Sequence, residues 1–278
     1  MKVDLHCHSY YSDGKHSPEF LIESAIVNGV SHLAITDHDC VDAFSELNKN
    51  RDEITILNGV EISCDWLGLE VHIVGLLIDT ENASLGSLLR NQQSERRSRI
   101  EAMDKKLKAL GVDDLLPWME KQKCVAMTRS HVADFLVEKG LSKNRQKAFK
   151  RYLAKRGKIY VAANWCSLQS TVQSIHGAGG IAVLAHPGRY PLSKGKLKSL
   201  VEEFAGFGGD AIETSYSNID PLVRNRLSDL AEEHQLYASV GSDFHDEAAT
   251  WTRLGKYPEP DQQSKKNAIW LHPKWHFE

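Results

Sequence analysis

The chain has 278 residues, of which 41% are hydrophobic and 26% charged, so a disordered or fibrous protein is excluded. Its net charge of −3 indicates neither a nucleic-acid-binding arm nor an acidic tail. We find no apolar run of the roughly 18 to 20 residues that a membrane span needs, and no signal-peptide pattern. The five cysteines form no CxxC pair, which favours reduced thiols. We therefore expect a cytoplasmic protein of one or two domains.

Short β-rich segments alternate with amphipathic helical segments over most of the chain. The first predicted helix, 18–27, has a clear start, because Ser17 can cap it and Pro18 takes the first helical position. This alternation is typical of a parallel sheet, open or closed into a barrel. The predicted strands are 3–5, 33–35, 54–57, 71–77, 181–185, 211–212 and 237–240. The other predicted helices of this frame are 168–175 and 221–234.

The segment 91–165 differs, because strand signals nearly vanish and helical periodicity replaces them. It holds 18 basic and 8 acidic residues, a net charge of +10, and the remainder holds 16 and 29, a net charge of −13. A single basic run is usually a solvated helix face, but so strong a segregation favours an anionic partner. The predicted helices lie within 100–110, 130–139 and 149–153. We predict a barrel domain of residues 1–90 and 166–278, with a basic helical insertion that caps the substrate.

Six of the thirteen histidines fall in polar clusters beside predicted strands. His6 and His8 project to one side of an extended segment, as two ligands of one metal would, whereas Cys7 points away. A lone strand-end histidine is usually structural, but functional groups of a parallel barrel gather at the carboxyl ends of its strands. Nine imidazole and carboxylate ligands suffice for two or three metals, and favour Mn, Zn or Fe over Mg or Ca. The candidate ligands are His6, His8, Asp13, His38, Glu61, His72, His186, Asp243 and His245.

These residues and their neighbours resemble the motifs of the polymerase and histidinol phosphatase (PHP) family. The resemblance covers 1–90 and 166–278, with all nine ligand positions present. Four segments are more closely similar to the bacterial subgroup of 3′,5′-nucleoside bisphosphate phosphatases, which includes the 5′-to-3′ exoribonuclease RNase AM. These segments are HIVGL, the Glu95-Arg96-Arg97 helix, Met127 to His131, and AHPGRY. The resemblance implies a distorted (β/α)7 barrel, the PHP fold, with a trinuclear metal centre.

The resemblance also implies how the ligands are shared. One metal would be held by His6, His8, Glu61 and Asp243, a second by Glu61, His72 and His186, and a third by Asp13, His38 and His245. Such a site makes a metal-bound hydroxide available at neutral pH for in-line attack on a phosphate. Glu61, His186 and His245 are then the catalytic residues, with protonation of the leaving oxygen open between a metal water and either histidine. Asp37 is expected to orient a ligand histidine or metal water, or alternatively to lie at a helix N-terminus.

To bind a second phosphate of the substrate, the protein would need positively charged side chains in addition to the metals. Arg129 and His131 lie in a turn that opens an insertion helix, and Arg189 follows His186 by three residues. We predict that these three contact the substrate, with ordinary surface ion pairs as the alternative for the arginines. Arg97 is a weaker candidate. Of the aromatic residues, Tyr190 could stack on a base, whereas Phe135 fits the core better. We interpret His16, His32, His176, His234, His272 and His276 as structural or surface residues.

We therefore predict a metal-dependent phosphoesterase, with Mn favoured and Zn or Fe as alternatives. It would hydrolyse 3′,5′-nucleoside bisphosphates such as pAp to AMP and phosphate, and trim short 5′-phosphorylated RNA in the 5′-to-3′ direction. Both substrates carry a 5′-phosphate next to a 3′-phosphoester, so one pocket could serve both. We infer no membrane and no obligate protein partner. The alternatives are a histidinol-phosphatase-like phosphomonoesterase and a non-catalytic, nucleic-acid-binding PHP module.

Overall fold

The structure, a computed structural model, describes residues 1–45, 47–48 and 51–277. A sheet of largely buried strands forms its centre, and helices surround that sheet. In chain order the strands are β1 (Val3–Asp4), β2 (His32–Ile35), β3 (Thr55–Trp66), β4 (Leu69–Leu76), β5 (Cys166–Ser167), β6 (Ile181–Leu184), β7 (Ala211–Tyr216) and β8 (Tyr237–Gly241).

The sheet closes almost completely on itself. Its strands follow the order β1-β2-β3-β4-β6-β7-β8, and β5 pairs with β3. The two ends of this order meet, because the Leu5 N–H donates to the Val240 carbonyl at 3.2 Å and the His8 N–H donates to the Phe244 carbonyl at 2.9 Å. The predicted α/β barrel is confirmed.

The predicted all-parallel sheet is wrong at β4. This strand runs antiparallel to both of its neighbours, β3 and β6. A two-residue turn joins β3 to β4, and both of its residues have positive φ, 51° at Leu67 and 78° at Gly68. Such a turn matches the twist of antiparallel strands. Leucine is unusual at the first position of such a turn, because a positive φ is unfavourable for its side chain. The sequence therefore contains only weak evidence for a hairpin.

Alternating side chains of the strands pack to opposite sides of the barrel wall. Val183 belongs to the cluster that fills the interior, whereas Ala182 and Leu184 face the outer helices. Those helices are α1 (Pro18–Val27), α6 (Leu168–Gly177), α7 (Lys194–Gly206) and α8 (Pro221–Glu233), with the short α9 (Gln262–Lys266) near the end. The start of α1 is as predicted, since the Ser17 hydroxyl accepts the Phe20 N–H at 3.2 Å.

The middle of the chain is helical and has its own apolar core. It contains α2 (Ala83–Lys108), α3 (Leu115–Met119), α4 (Arg129–Glu138) and α5 (Arg145–Ala148), followed by a π-helical turn, Phe149–Leu153. Ile100, Phe135 and Leu153 are among the buried residues of this core. Because α2 begins well before residue 91, one helix spans the predicted boundary between barrel and insertion. No helix in the described part of the chain combines the length and apolarity that crossing a membrane requires.

Candidate metal centre

All nine candidate ligands meet at one end of the barrel. His6 and His8 follow β1, His38 follows β2, and His186 follows β6. Asp243 and His245 follow β8, and Asp13 lies in the loop after β1. Six histidines and three carboxylates from separate parts of the chain therefore share one location.

His72 belongs to this cluster because β4 runs backwards. The early part of an antiparallel strand lies at the carboxyl edge of its parallel neighbours, and His72 pairs with Ser63 across the hairpin. Glu61 lies two residues earlier on β3, with its side chain at the centre of the cluster. The reversal of β4 thus explains a ligand position that a purely parallel sheet did not.

Glu61 is the hub of the cluster. Its Oε1 lies 3.0 Å from His72 Nδ1 and 2.9 Å from His186 Nε2. Its Oε2 lies 2.9 Å from His38 Nδ1 and 3.3 Å from His8 Nε2. One carboxylate therefore reaches ligands from four strands or strand ends, which suits a bridging ligand.

Two further carboxylates flank this hub. Asp243 Oδ1 lies 3.2 Å from His8 Nε2 and 3.6 Å from His6 Nε2. Asp13 Oδ1 lies 3.3 Å from His245 Nε2. Within four subsets of the cluster, one ligand atom from each residue lies within 4.8 Å of all the others in that subset. These subsets are His8-Asp13-His38-His245, His6-Glu61-His186, His6-His8-Asp243 and His38-Glu61-His72.

The cluster fits divalent cations. Asp13 Oδ1, His38 Nδ1 and Glu61 Oε2 are buried. His38 Nδ1 lies 2.9 Å from Glu61 Oε2 and Asp13 Oδ1 lies 3.3 Å from His245 Nε2, but within the described ranges of the chain none of the three atoms makes a hydrogen bond of suitable geometry. A buried polar atom left in this state costs about 1 to 3 kcal/mol, and a bound cation would remove that cost. Imidazole nitrogens mixed with carboxylate oxygens are suitable ligands for Mn, Zn or Fe.

The carboxylates and histidines of the cluster shift one another's pKa values, and the direction differs between ligands. Burial raises the pKa values of Asp13 and Glu61, but the neighbouring histidines outweigh burial and hold both pKa values well below their usual range. Burial, together with repulsion from His245 and His38, lowers the pKa of His8 to about 3. The carboxylates are thus ionised and the His8 imidazole is neutral, which are the forms that bind metal. Although burial opposes it, Glu61 raises the pKa of His72 to about 10 and Asp13 raises that of His245 to about 9, so a bound cation would displace a proton from each of these two histidines.

Glu213 supports the cluster and was not predicted from the sequence. Its carboxylate lies on β7, and the residue is 1% exposed. Oε1 lies 2.8 Å from His6 Nδ1, and Oε2 accepts the His186 N–H at 2.6 Å. A carboxylate in this place keeps a proton on Nδ1 of His6, so that Nε2 presents its lone pair to the cluster. The sequence feature that could have indicated this role is a single acidic residue, Glu213, within the buried strand AIETSY.

Asp37 holds the loop between two candidate ligands and reaches one of them, His8, through Ser12. Its Oδ1 accepts the Ser9 N–H at 2.8 Å and the Ser12 hydroxyl at 2.6 Å, and its Oδ2 accepts the Ser9 hydroxyl at 2.6 Å. These bonds fix the loop between His8 and Asp13. The Ser12 hydroxyl also lies 3.4 Å from His8 Nδ1, so the orientation of a ligand histidine by Asp37 stays a prediction, with Ser12 as the link.

His131 is a capping residue in the structure. Its Nδ1 accepts the Thr128 N–H at 3.1 Å, and the Thr128 hydroxyl accepts the Ser130 N–H, so the two side chains close a capping box at the start of α4. His131 is 6% exposed and caps its own helix, and its contact with the substrate stays a prediction. The Thr128 hydroxyl lies 3.1 Å from Asp13 Oδ2, which ties the helical segment to the cluster.

Arg129 lies beside the cluster, in a position from which it could contact the substrate. It lines a cavity of about 110 Å³ together with His38 and His72. Its Nη2 lies 2.9 Å from Glu70 Oε1, and Arg99 Nη1 lies 3.1 Å from Glu70 Oε2. Substrate contact by Arg129 stays a prediction, in a place rich in guanidinium donors.

Two neighbouring arginines of α2 have different roles. Arg96 is buried, and its Nη2 lies 2.6 Å from Asp39 Oδ2. Arg97 is exposed and pairs with Glu101 one turn later, at 3.2 Å. The surface ion pair is therefore the better interpretation of Arg97.

Arg189 borders the cluster on its other side. Its Nη1 donates to Asp243 Oδ2, and its guanidinium lies 5.1 Å from the centre of the Tyr216 ring. Arg189 also lines a groove of about 860 Å³ between barrel and helical segment, with Asp243 and His245 at the bottom. Solvent therefore reaches the cluster through this groove.

The hydroxyl of Tyr190 is fixed by two hydrogen bonds, and stacking of its ring on a base stays a prediction. Its hydroxyl donates to the Ala185 carbonyl at 2.9 Å and accepts the His72 N–H at 2.8 Å, which links β6 to β4. Phe135 is fully buried in the helical core, as expected.

The chain is similar to known proteins over most of its length. A sequence model described as the PHP domain matches residues 4–159. The 5′-3′ exoribonuclease Rnm of Escherichia coli is 40% identical over 258 residues, which cover 91% of this chain and 88% of the relative. A 3′,5′-nucleoside bisphosphate phosphatase of Chromobacterium violaceum is 37% identical over 249 residues, 87% of either chain.

A solved structure is also similar. An amidohydrolase from Chromobacterium violaceum, with bound sulfate and no metal, superposes with a TM-score of 0.90 at 34% identity. The match covers 98% of this chain and 95% of that one. The helical segment is therefore part of the shared architecture, not an addition of this chain.

Proposed function

The chain belongs to the PHP-domain family, and we propose that it is a metal-dependent phosphoesterase that hydrolyses 3′,5′-nucleoside bisphosphates and trims short 5′-phosphorylated RNA from its 5′ end. The observation that carries the proposal is the convergence of six imidazoles and two further carboxylates around Glu61, beside a cavity lined by arginines. In one reaction pAp would give AMP and phosphate. In the other a 5′-terminal nucleotide would be released.

We assign three divalent cations to the cluster, with Mn favoured. The first would be held by His6, His8, Glu61 and Asp243, the second by Glu61, His72 and His186, and the third by Asp13, His38 and His245. Bound there, the cations supply a water of lowered pKa as nucleophile and offset the charge of the phosphate oxygens.

The residues of the chain bind and orient the substrate around this centre. Arg129, on one side of the cluster, and Arg189, on the other, are the guanidinium groups that would hold the second phosphate. His245, whose side chain is 25% exposed at the floor of the groove against 9% for His186, would lie nearest the leaving oxygen. Because both ring nitrogens of His245 are engaged, a water that enters through the groove would protonate that oxygen. Glu213 and Asp37 would keep the ligands in place.

The unpaired state of the cysteines supports a reducing compartment, and we place the protein in the cytoplasm. Nucleotides and RNA ends are its proposed partners.

The proposal is tested by product analysis with the purified, Mn-loaded protein. The substrates are pAp, a 5′-phosphorylated oligoribonucleotide, the same oligonucleotide with a 5′-hydroxyl, 3′-AMP and histidinol phosphate. We expect turnover of the first two and poor turnover of 5′-hydroxyl RNA and 3′-AMP, which lack the 5′-phosphate. Turnover confined to histidinol phosphate would refute the nucleotide assignment, and binding of RNA without turnover would favour the non-catalytic alternative.

A further inference from the structure

Trp251 is a large aromatic side chain on the surface, next to the cluster. It is 53% exposed and lies in the loop that follows His245. Trp251 lines the groove that leads to Asp243 and His245. Exposed aromatic side chains at the rim of a polar site are typical of ligand-binding surfaces.

A second cavity is also lined by Trp251. It has a volume of about 550 Å³ and shares Trp251 and Arg189 with the groove, so the two spaces are neighbours. Ile219 and Val223 supply apolar surface to this cavity, and the exposed Asn218 lies at its edge. Apolar walls combined with an amide suit a flat heterocycle that has an apolar face and polar edges.

Arg189 connects this cavity to the cluster. On one side its guanidinium donates to Asp243, and on the other it lies over the ring of Tyr216, which also lines the cavity. If a nucleotide binds with its 3′-phosphate at the cluster, its ribose would therefore lie beside Arg189 and its base would lie in the cavity.

We infer that this cavity is the nucleobase subsite of the proposed nucleotide site, and that the indole of Trp251 stacks on the base. The inference rests on the proposed function and adds the part of the protein that recognises the base. Stacking on an indole tolerates any base, since every base has a π-face. An enzyme that removes nucleotides one after another requires that tolerance.

The test compares wild type, Trp251→Ala and Trp251→Phe, all loaded with Mn, on two substrates. One substrate is pAp and the other is its analogue without a base, 1-O-methylribose 3,5-bisphosphate. We expect Trp251→Ala to raise KM for pAp about tenfold with little change in kcat, and Trp251→Phe to recover most of this loss. On the analogue without a base, the three proteins should have the same KM.

Leu271→Ala is a matched control. Leu271 is 56% exposed and belongs to the segment that pairs, through Ala268, with Ala238 near the start of β8, at the opposite end of the barrel. It should leave both substrates unaffected.

An equal effect of Trp251→Ala on both substrates, or no effect on either, would overturn the subsite while leaving the proposed function intact. Failure of wild type to hydrolyse pAp would overturn the proposed function and the subsite together.

Discussion

Glu213→Gln is the substitution that most sharply tests how the cluster is held. Glu213 accepts two hydrogen bonds, one at each carboxylate oxygen, from His6 Nδ1 and from the His186 N–H. Glutamine offers only one acceptor oxygen, and its other group is an N–H donor. If the glutamine oxygen keeps the hydrogen bond from the His186 N–H, the glutamine NH2 group faces His6 Nδ1 and donates to it. The proton of His6 then lies on Nε2, the nitrogen directed at Glu61 and Asp243.

A histidine protonated on its ligand nitrogen cannot bind metal, so the variant must give up a hydrogen bond or a metal ligand. Loss of such a supporting partner typically lowers metal affinity or activity about 10- to 100-fold, or roughly 1.4 to 2.7 kcal/mol. The expected outcome is a weaker apparent Mn affinity, measured by titrating metal-free protein and following pAp hydrolysis. The matched control is Glu202→Gln, an exposed position on α7. Equal metal dependence in Glu213→Gln and wild type would refute the role assigned to Glu213.

Three further predictions concern the helical segment. Arg129→Ala should raise KM for pAp at least about tenfold, the value of a charged hydrogen bond, whereas Arg97→Ala should change it less than about twofold. Arg96→Met should lower the free energy of unfolding by about 3 to 5 kcal/mol, because it leaves the buried Asp39 carboxylate unpaired, and urea titration measures this. Burial lowers the pKa of His131 to about 4 from 6.5, so the folded state binds fewer protons and loses stability as pH falls through this window. His131→Gln can keep the capping box without titrating, and should remove about 2 kcal/mol of the stability change between pH 7 and pH 5.

Each of these predictions has a contradicting result. Equal KM values for the Arg129 and Arg97 variants would remove Arg129 from the substrate site. A destabilisation below about 1 kcal/mol for Arg96→Met, as expected of a surface arginine such as Arg97, would show that Asp39 does not depend on its partner. The pH prediction is measured by urea unfolding of metal-free protein, with His276→Gln at an exposed position as the control. A pH slope in His131→Gln equal to that of wild type would refute the assignment to His131.

The barrel and the gathering of the ligands were predictable because both depend on local patterns. A histidine or aspartate directly after a buried strand, such as His186 or Asp243, is placed by the end of that strand. His72 did not fit this reasoning, since its strand reverses at a turn whose Leu67 adopts a left-handed conformation. A leucine gives no sign of that conformation before the fold imposes it.

The supporting residues were harder to predict, because their partners are distant in the sequence. Glu213 is 207 residues from His6, and none of the neighbouring residues in the sequence indicates that Glu213 contacts a histidine. His131 stood in a turn that indicated anion binding, yet its side chain turns back to cap its own helix. The direction of a side chain at a helix start depends on which hydrogen bond it makes, and the residue type allowed both.

The most direct test of the whole account is the metal content of the intact protein, measured by native mass spectrometry together with phosphate release from pAp. We expect about three divalent cations per wild-type chain and rapid release of phosphate, and we expect Glu61→Gln, which changes the central carboxylate, to lose both. Hydrolysis of pAp by metal-free protein, or full metal content and activity in Glu61→Gln, would contradict the central claim that the cluster around Glu61 is a catalytic metal centre.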